Sequence, residues 1–348
     1  MERGQTSRRE PGLVDMSSAV LAPWLATQSE RLLAQRGHAW LLAGPSGLGQ
    51  YALALAMVRA WLCDEPSPQG ACGVCQACHA MDVRTHADLC VLMPETVMLE
   101  CGWPLSEKAQ SDIDDKKRKP SKEIRVDAMR EAVEFSQRTS ARGRGKAVLV
   151  FPAERMNNVT ANALLKTLEE PPGDVKFVLA SEAAHQLLPT IRSRCLGHTM
   201  TWPTQEASLA WIRAQGVSAN EADVALRAAG GRPDDALQFS GGSVRSAQAW
   251  VKLPQAIARG EVSALKDWTP AQAVDALHKI CHDMLAVHTG AAPRFFAAHE
   301  LPRGGSLRSL TTWGKALSQT MRTVEHPFNT GLMLEALVSQ AQIAINSK

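Results

Sequence analysis

The sequence predicts a largely parallel α/β domain over about the first two hundred residues, followed by an all-helical remainder. Three observations carry this reading. Short apolar runs alternate with helical periodicity in the first part, a glycine loop sits between the first such run and a helix, and from about Thr204 onward the only period is helical. A chain of 348 residues with 45% hydrophobic and 21% charged content has material for two or three domains.

The amino-terminal stretch MERGQTSRREPG is charged and lacks the apolar core of a secretory signal, and no apolar run approaches the ~20 residues that span a bilayer. A cytoplasmic protein is expected. HAWLLAG, His38 to Gly44, reads as a strand that ends in glycine, and QYALALAMVRAWLC has the spacing of a helix. KAVLVF, Lys146 to Phe151, and VKFVLAS, Val175 to Ser181, read as two further strands. Between them ANALLKTLEEPP places Leu164, Leu165 and Leu168 on one helical face, and Pro171 and Pro172 end that helix. Met98 to Ser121 is polar, charged and unpatterned, and is expected to be a mobile surface insertion without secondary structure.

After Thr204, EASLAWIRAQ, ANEADVALRAAGG and PDDALQF are helical in pattern, and Gly241-Gly242-Ser243 reads as a break between two helical modules. NTGLMLEALVSQAQIAI near the end carries an apolar stripe. The expected division is therefore 1–201, 202–243 and 244–348. No internal repeat is present.

Eight cysteines in a reducing compartment point to metal binding or simple burial rather than disulfides. Cys63, Cys72, Cys75 and Cys78 are clustered, with two successive x2 spacings, and four thiolates at such intervals suit one tetrahedral ion. Zinc is the expected metal. Thiolate ligation also suits iron–sulfur clusters, but a closed four-thiolate site without a nearby redox partner motif favours a structural ion. Such a site has no open position and implies no hydrolytic chemistry. His79 adjoins Cys78 as a possible competitor, although the cysteines already complete the count. Cys90, Cys101, Cys195 and Cys281 are scattered singly and read as ordinary residues.

Gly44-Pro45-Ser46-Gly47-Leu48-Gly49-Gln50-Tyr51 follows a strand and opens a helix, which is the context and spacing of a phosphate-binding loop, G-x4-G-K-[ST]. Its chemistry is missing. Gln50 stands where a lysine would reach the phosphates, and bulky Tyr51 stands where a hydroxyl would bind magnesium. After the strand VLVF, Pro152 and Ala153 occupy the places of an acidic pair that would hold magnesium and polarise water, with Glu154 displaced by one residue. Three separate losses remove charge neutralisation, metal binding and water activation, so neither ATP binding nor hydrolysis is expected.

AERMNNVTANALLKTLEEPPGDVKFVLAS followed by LLPTIRSRC resembles the clamp-loader branch of the AAA+ ATPases. With the four-cysteine insertion and the defective loop, the chain looks like the delta-prime group within that branch, strongly over about Gly37 to Cys195 and by helix content beyond it. The resemblance implies an α/β P-loop core over 1–201 with a zinc module at about 63–78, a helical lid over 202–243 and a helical collar over 244–348 that joins a five-subunit ring. It also implies partners: gamma/tau motor subunits, a delta subunit and, through the complex, a sliding clamp and primer–template DNA within a DNA polymerase III holoenzyme. In that branch the Ser-Arg-Cys motif, matched by Ser193, Arg194 and Cys195, places an arginine finger in the neighbouring motor's ATP site. A rigid guanidinium there stabilises charge on the transferring phosphoryl group, so a chain without ATPase activity can assist a neighbour's hydrolysis. Without the motif Arg194 would read as a solvated helix-end arginine or a domain-interface salt bridge, as Arg192 does. Arg232, where active relatives carry a nucleotide-sensing arginine, is expected to have a structural role at most.

Two alternatives remain open: an ATPase with an unorthodox site using Glu154 and some other cation, and a zinc-dependent nucleic-acid-binding scaffold. The net charge of +3, from 38 basic and 35 acidic residues, confines any nucleic-acid contact to local patches. KKRKPSKEIR, Lys116 to Arg125, and RTSARGRGK, Arg138 to Lys146, are basic but contain no stacking aromatic residues, and read as solvated loops.

Overall fold

The computed structural model describes residues 21–241, 246–324, 326 and 329–347, so MERGQTSRREPG and the Gly242-Ser243 part of the expected break lie outside the described residues. Contacts divide the chain into two compact units, the first ending at Pro203 and the second beginning at Thr204. Among the described residues no helix is long and apolar enough to cross a membrane.

The first unit is built on a five-stranded, all-parallel sheet. Its strands are β1 (Ala39–Ala43), β2 (Leu89–Leu92), β3 (Lys146–Val150), β4 (Val175–Ser181) and β5 (Leu196–Thr199), in the order β2-β3-β4-β1-β5. The three central strands are the three read from the sequence, because strands covered on both faces are continuous apolar runs. The two edges escaped that reading. LGHT is short and mostly exposed and leaves no apolar signature, while LCVL is apolar but only four residues long, too short a run to stand out as a strand.

Helices α1 (Pro23–Leu33), α2 (Gln50–Leu62), α3 (Gln76–Asp82), α4 (Glu95–Glu100), α5 (Glu107–Asp114), α6 (Val126–Gln137), α7 (Asn158–Glu169) and α8 (Pro189–Arg192) surround the sheet. α2 packs on β3 and β4 and is buried along most of its length, which explains its nearly all-round apolar sequence. On α7, Leu164 and Leu168 are buried and Leu165 packs against the same cluster, as the periodicity predicts.

The 98–121 segment departs from expectation. It is not structureless: α4 runs into it, Ser106 caps α5 by accepting from the Ala109 amide, and Trp103 is buried. Arg118 closes it as a staple, with Nη2 donating to Glu95 Oε1 at 2.8 Å while the Ser121 amide donates to Glu95 Oε2 at 2.8 Å. Burial opposes ionisation of Glu95, but these donors hold its carboxyl below the usual range. A window average registers the many exposed charges here and misses the few residues that anchor them.

The basic stretches are also less free than solvated loops. Asp88, fully enclosed, accepts from the Ala141 and Arg142 amides at 2.7 and 2.9 Å and from Ser140 Oγ at 3.0 Å, and lies 3.5 Å from buried Lys146 Nζ. Each charge has its counterpart, as burial requires.

The second unit contains α9 (Gln205–Ala214), α10 (Ala219–Ala228), α11 (Pro233–Gly241), α12 (Ala247–Ala258), α13 (Pro270–His288), α14 (Leu307–Thr323) and α15 (Thr330–Asn346). Thr204, Ser218, Ser246, Thr269, Ser306 and Asn329 each cap a helix by accepting an amide of its first turn, which fixes where the periodic segments begin. Helices on both sides of the expected break contribute to one hydrophobic cluster running from Ile212 to Ile345. Near its middle Trp250 stacks on Phe296 at 4.8 Å between ring centres.

Candidate functional site

The four clustered cysteines converge. Their sulfurs all lie within 4.8 Å of one another, and four of the separations are 3.5, 3.7, 3.8 and 4.0 Å. Tetrahedral zinc with ~2.3 Å bonds would set its sulfurs ~3.8 Å apart, so these four separations already suit such an ion. Among the described residues this is the one group of three or more metal-capable side chains brought together, and His79 is outside it.

Local geometry explains the convergence. Cys63 ends α2 and Cys75 caps α3, accepting from the Cys78 amide at 3.4 Å, while the Cys72 amide donates to Cys63 Sγ at 3.3 Å. Gly73 has φ of 78°, a left-handed bend that a side chain would strain, and it turns the chain between Cys72 and Cys75. Amide donors stabilise thiolate, and although burial opposes it they bring Cys75 down to about 7, whereas burial pushes Cys78 up to about 12. The four scattered thiols behave as interior groups: burial raises Cys90 to about 12 and Cys101, Cys195 and Cys281 to about 11.

The glycine loop joins β1 to α2, with Gly47 and Gly49 at φ of 75° and 88°. Gln50 does not reach outward. It is 2% exposed, and its Nε2 donates to the Gly44 and Pro45 carbonyls at 2.7 and 2.6 Å, so the side chain closes the loop on itself. Tyr51 stacks on Phe151 with ring centres 5.3 Å apart and accepts from Trp103 Nε1 at 2.6 Å. Burial pushes its phenol up to about 12. Three aromatic side chains thus lie where the loop faces the end of β3, the region a metal-bound phosphate would occupy in a functional site of this kind.

Ala153 is fully buried, and Pro152 precedes a single 3-10 turn, Ala153–Arg155. Glu154 accepts from Ser181 Oγ at 2.7 Å and from the Glu182 amide at 3.2 Å, which ties its carboxylate to the end of β4. Those bonds compete with the metal-binding role the alternative ATPase reading would require. Trp103 and Phe151 escaped the sequence reading, but Trp103 had a signal: it is the lone aromatic residue of the otherwise polar 98–121 segment.

Arg194 follows α8. Its Nε donates to Glu169 Oε1 at 2.7 Å and its Nη1 to the Thr190 carbonyl at 2.9 Å, and Nη2 also pairs with Glu169. Ser193 is exposed, and its hydroxyl donates to the Thr190 carbonyl at 3.2 Å. Cys195 is half-buried against the sheet cluster and anchors the motif from below. Arg192 is exposed. In the second unit Arg232 Nε lies 2.8 Å from Asp235 Oδ2, three residues on along the same helix start.

Residues 27–201, half of the chain, match the family model described as DNA polymerase III, delta subunit. The chain is 34% identical over 286 residues to the DNA polymerase III subunit delta' of Escherichia coli, covering 78% of each chain. It belongs to the delta-prime family of DNA polymerase III. The Pseudomonas aeruginosa subunit delta' is 39% identical over 237 residues, 67% of this chain and 65% of that protein. DNA polymerase III subunit tau of E. coli is 31% identical over 159 residues, 46% of this chain and 21% of that protein. The delta-prime match includes the glycine loop, the cysteine cluster and the Ser-Arg-Cys motif, so all three belong to the family portion of the chain.

Proposed function

We propose that this delta-prime family member is a non-catalytic subunit of a cytoplasmic clamp loader. It neither binds nor hydrolyses ATP, and it lends Arg194 to a neighbouring gamma/tau motor subunit in a five-subunit ring that also contains a delta subunit. The ring helps place a sliding clamp on primed DNA. In this reading the cysteine cluster holds structural zinc, whose chemistry is to cross-link α2 to α3, α9–α11 form the lid, and α12–α15 form the collar.

The observation that carries the proposal is Gln50. Its amide satisfies the carbonyls of its own loop, and Tyr51 and Trp103 fill the adjoining space. The partly exposed Arg194 agrees with a role outside its own chain, since a guanidinium held in a weak surface pair can exchange that partner for a phosphate. Calorimetric titration of the zinc-loaded chain with magnesium ATP tests this. No heat of binding is expected. Tight binding would overturn the proposal and restore the ATPase reading; loss of DNA affinity on zinc removal, with the fold intact, would favour the scaffold reading.

A further inference from the structure

The second unit carries a groove that the clamp-loader reading does not use. α13 and α14 pack against each other, and a hollow of about 560 Å³ is lined by His278 and His282 from α13 and by Lys315 and Arg322 from α14. Its lining includes no carboxylate. The two acidic residues of α13 are engaged elsewhere. Asp275 pairs with Lys279 at 2.8 Å, and buried Asp283 accepts from the Arg294, Phe295 and Phe296 amides at 2.9, 2.7 and 2.8 Å.

Two stripes run side by side along α14. Arg308, Lys315 and Arg322 recur every seven residues, ~10.5 Å apart along the axis, and the helix contains no acidic residue. All three are exposed, and none has an ion-pair partner among the described residues. One position before each cation stands Leu307, Gly314 or Met321. Leu307 is 47% and Met321 37% exposed, on a helix that buries Leu310, Trp313 and Leu317. Between these two apolar side chains the surface is open: Gly314 has no side chain, and small Thr311 and Ser318 lie one turn to either side of it in the groove. The exposed face therefore offers an apolar end, a shallow middle and a second apolar end, with a cation beside each.

We infer that this face is a docking groove for an acidic amphipathic helix of a partner chain. A seven-residue repeat is the period at which one helix meets another, with apolar side chains in the seam and charges along its edge. An incoming helix with that period covers Leu307 and Met321, approaches closely over Gly314, and sets its flanking Asp or Glu against Arg308, Lys315 and Arg322. The charges select the partner and its direction, and the seam holds it. Nucleic acid matches this face less well. Each strand of a duplex carries a phosphate every ~3.4 Å, about three times the density of the stripe, and the groove offers no Phe, Tyr or Trp on which a base could stack.

The test is fluorescence anisotropy of the full, zinc-loaded chain with a labelled synthetic peptide of about 18 residues, long enough to span the ~21 Å from Arg308 to Arg322, with leucine at its seam positions and glutamate beside them. Saturable binding is expected. Arg308→Glu/Lys315→Glu/Arg322→Glu, all at exposed positions, should weaken it on the order of tenfold or more. Lys116→Glu/Lys117→Glu/Lys119→Glu, the same change of net charge in the first unit, should leave it unaltered. Gly314→Leu fills the middle of the groove and should weaken binding with every cation in place; the added Cβ lies 3.4 Å from Cys281 Sγ, an ordinary contact. Thermal melting reports the fold of each variant, and the charge-reversed chain carries the test if Gly314→Leu does not fold. Absence of wild-type binding, unaltered affinity in either folded α14 variant, an equal loss in the control, equal binding of a scrambled peptide of the same composition, or tighter binding of an oligothymidylate would each overturn the inference. None of these outcomes bears on ATP binding at the glycine loop, so the two proposals fail separately.

Discussion

Glu169 at the end of α7 holds Arg194 beyond α8, with Arg194 Nε 2.7 Å from Glu169 Oε1. The two side chains are 47% and 29% exposed, and pairs of that kind contribute about 0–1 kcal/mol. The guanidinium is therefore parked where a stronger anion can take it. Arg194→Ala should leave a reconstituted loader assembled and lower turnover at the one adjoining motor site by ~10³ or more, read as a partial loss of DNA-stimulated ATPase. Glu169→Gln should change that activity by no more than about fivefold, the equivalent of about 1 kcal/mol. Undiminished turnover in Arg194→Ala would remove the finger assignment.

Restoring a lysine should not restore the nucleotide site. In Gln50→Lys, Tyr51, Phe151 and Trp103 still fill the adjoining space, so calorimetry should detect no ATP binding. Gln50→Ala should instead destabilise the chain by about 1–3 kcal/mol, because two loop carbonyls lose their donor. Thermal melting separates the two effects.

The cysteine cluster should hold one zinc ion per chain, measurable by elemental analysis. Cys72→Ser or strong chelation should lower the melting temperature and speed proteolysis between Cys63 and Cys78, since binding free energy at such a site is folding free energy. A metal-free chain that melts at the same temperature would refute a structural role.

Asp88 makes stability depend on acid. Burial opposes its ionisation, but the Ala141 and Arg142 amides, Ser140 and Lys146 together hold its carboxyl below the ordinary range. A depressed folded value means that its contribution is fully present above the unfolded value of ~3.9 and is lost as pH falls through the folded one. Asp88→Asn should cost about 3–5 kcal/mol at neutral pH by stranding Lys146, and denaturant melts below pH 4 should show the gap to the parent narrowing.

How much of this was legible in the sequence depended on whether the signal was local. β1, β3, β4 and the α7 face are contiguous patterns, and the cysteine spacing and the loss of the loop lysine are readable by position. What stayed hidden joins distant residues. Trp103 meets Tyr51 from 52 positions away, and Glu169 meets Arg194 from 25, so only the fold brings them together. The 98–121 segment failed for a related reason: its order comes from a few anchors, Trp103 and the Arg118–Glu95 staple, set among exposed charges. The edge strands failed for two reasons: β5 is solvent-facing and need not be apolar, and β2 is apolar but only four residues long.

One loop links the cysteine cluster to the sheet. Asp64, next to Cys63, accepts from the Ala77 amide at 3.3 Å and from Arg142 Nη2 at 3.0 Å, across 78 positions of sequence in the second case. The Arg142 and Ala141 amides in turn close on the enclosed carboxylate of Asp88. Their protons can trade with solvent deuterium only when that enclosure opens. Should the cluster take up a metal ion, the exchange rate of these two backbone hydrogens at the entrance to β3 is expected to slow, a readout in a different part of the chain taken while the protein stays folded.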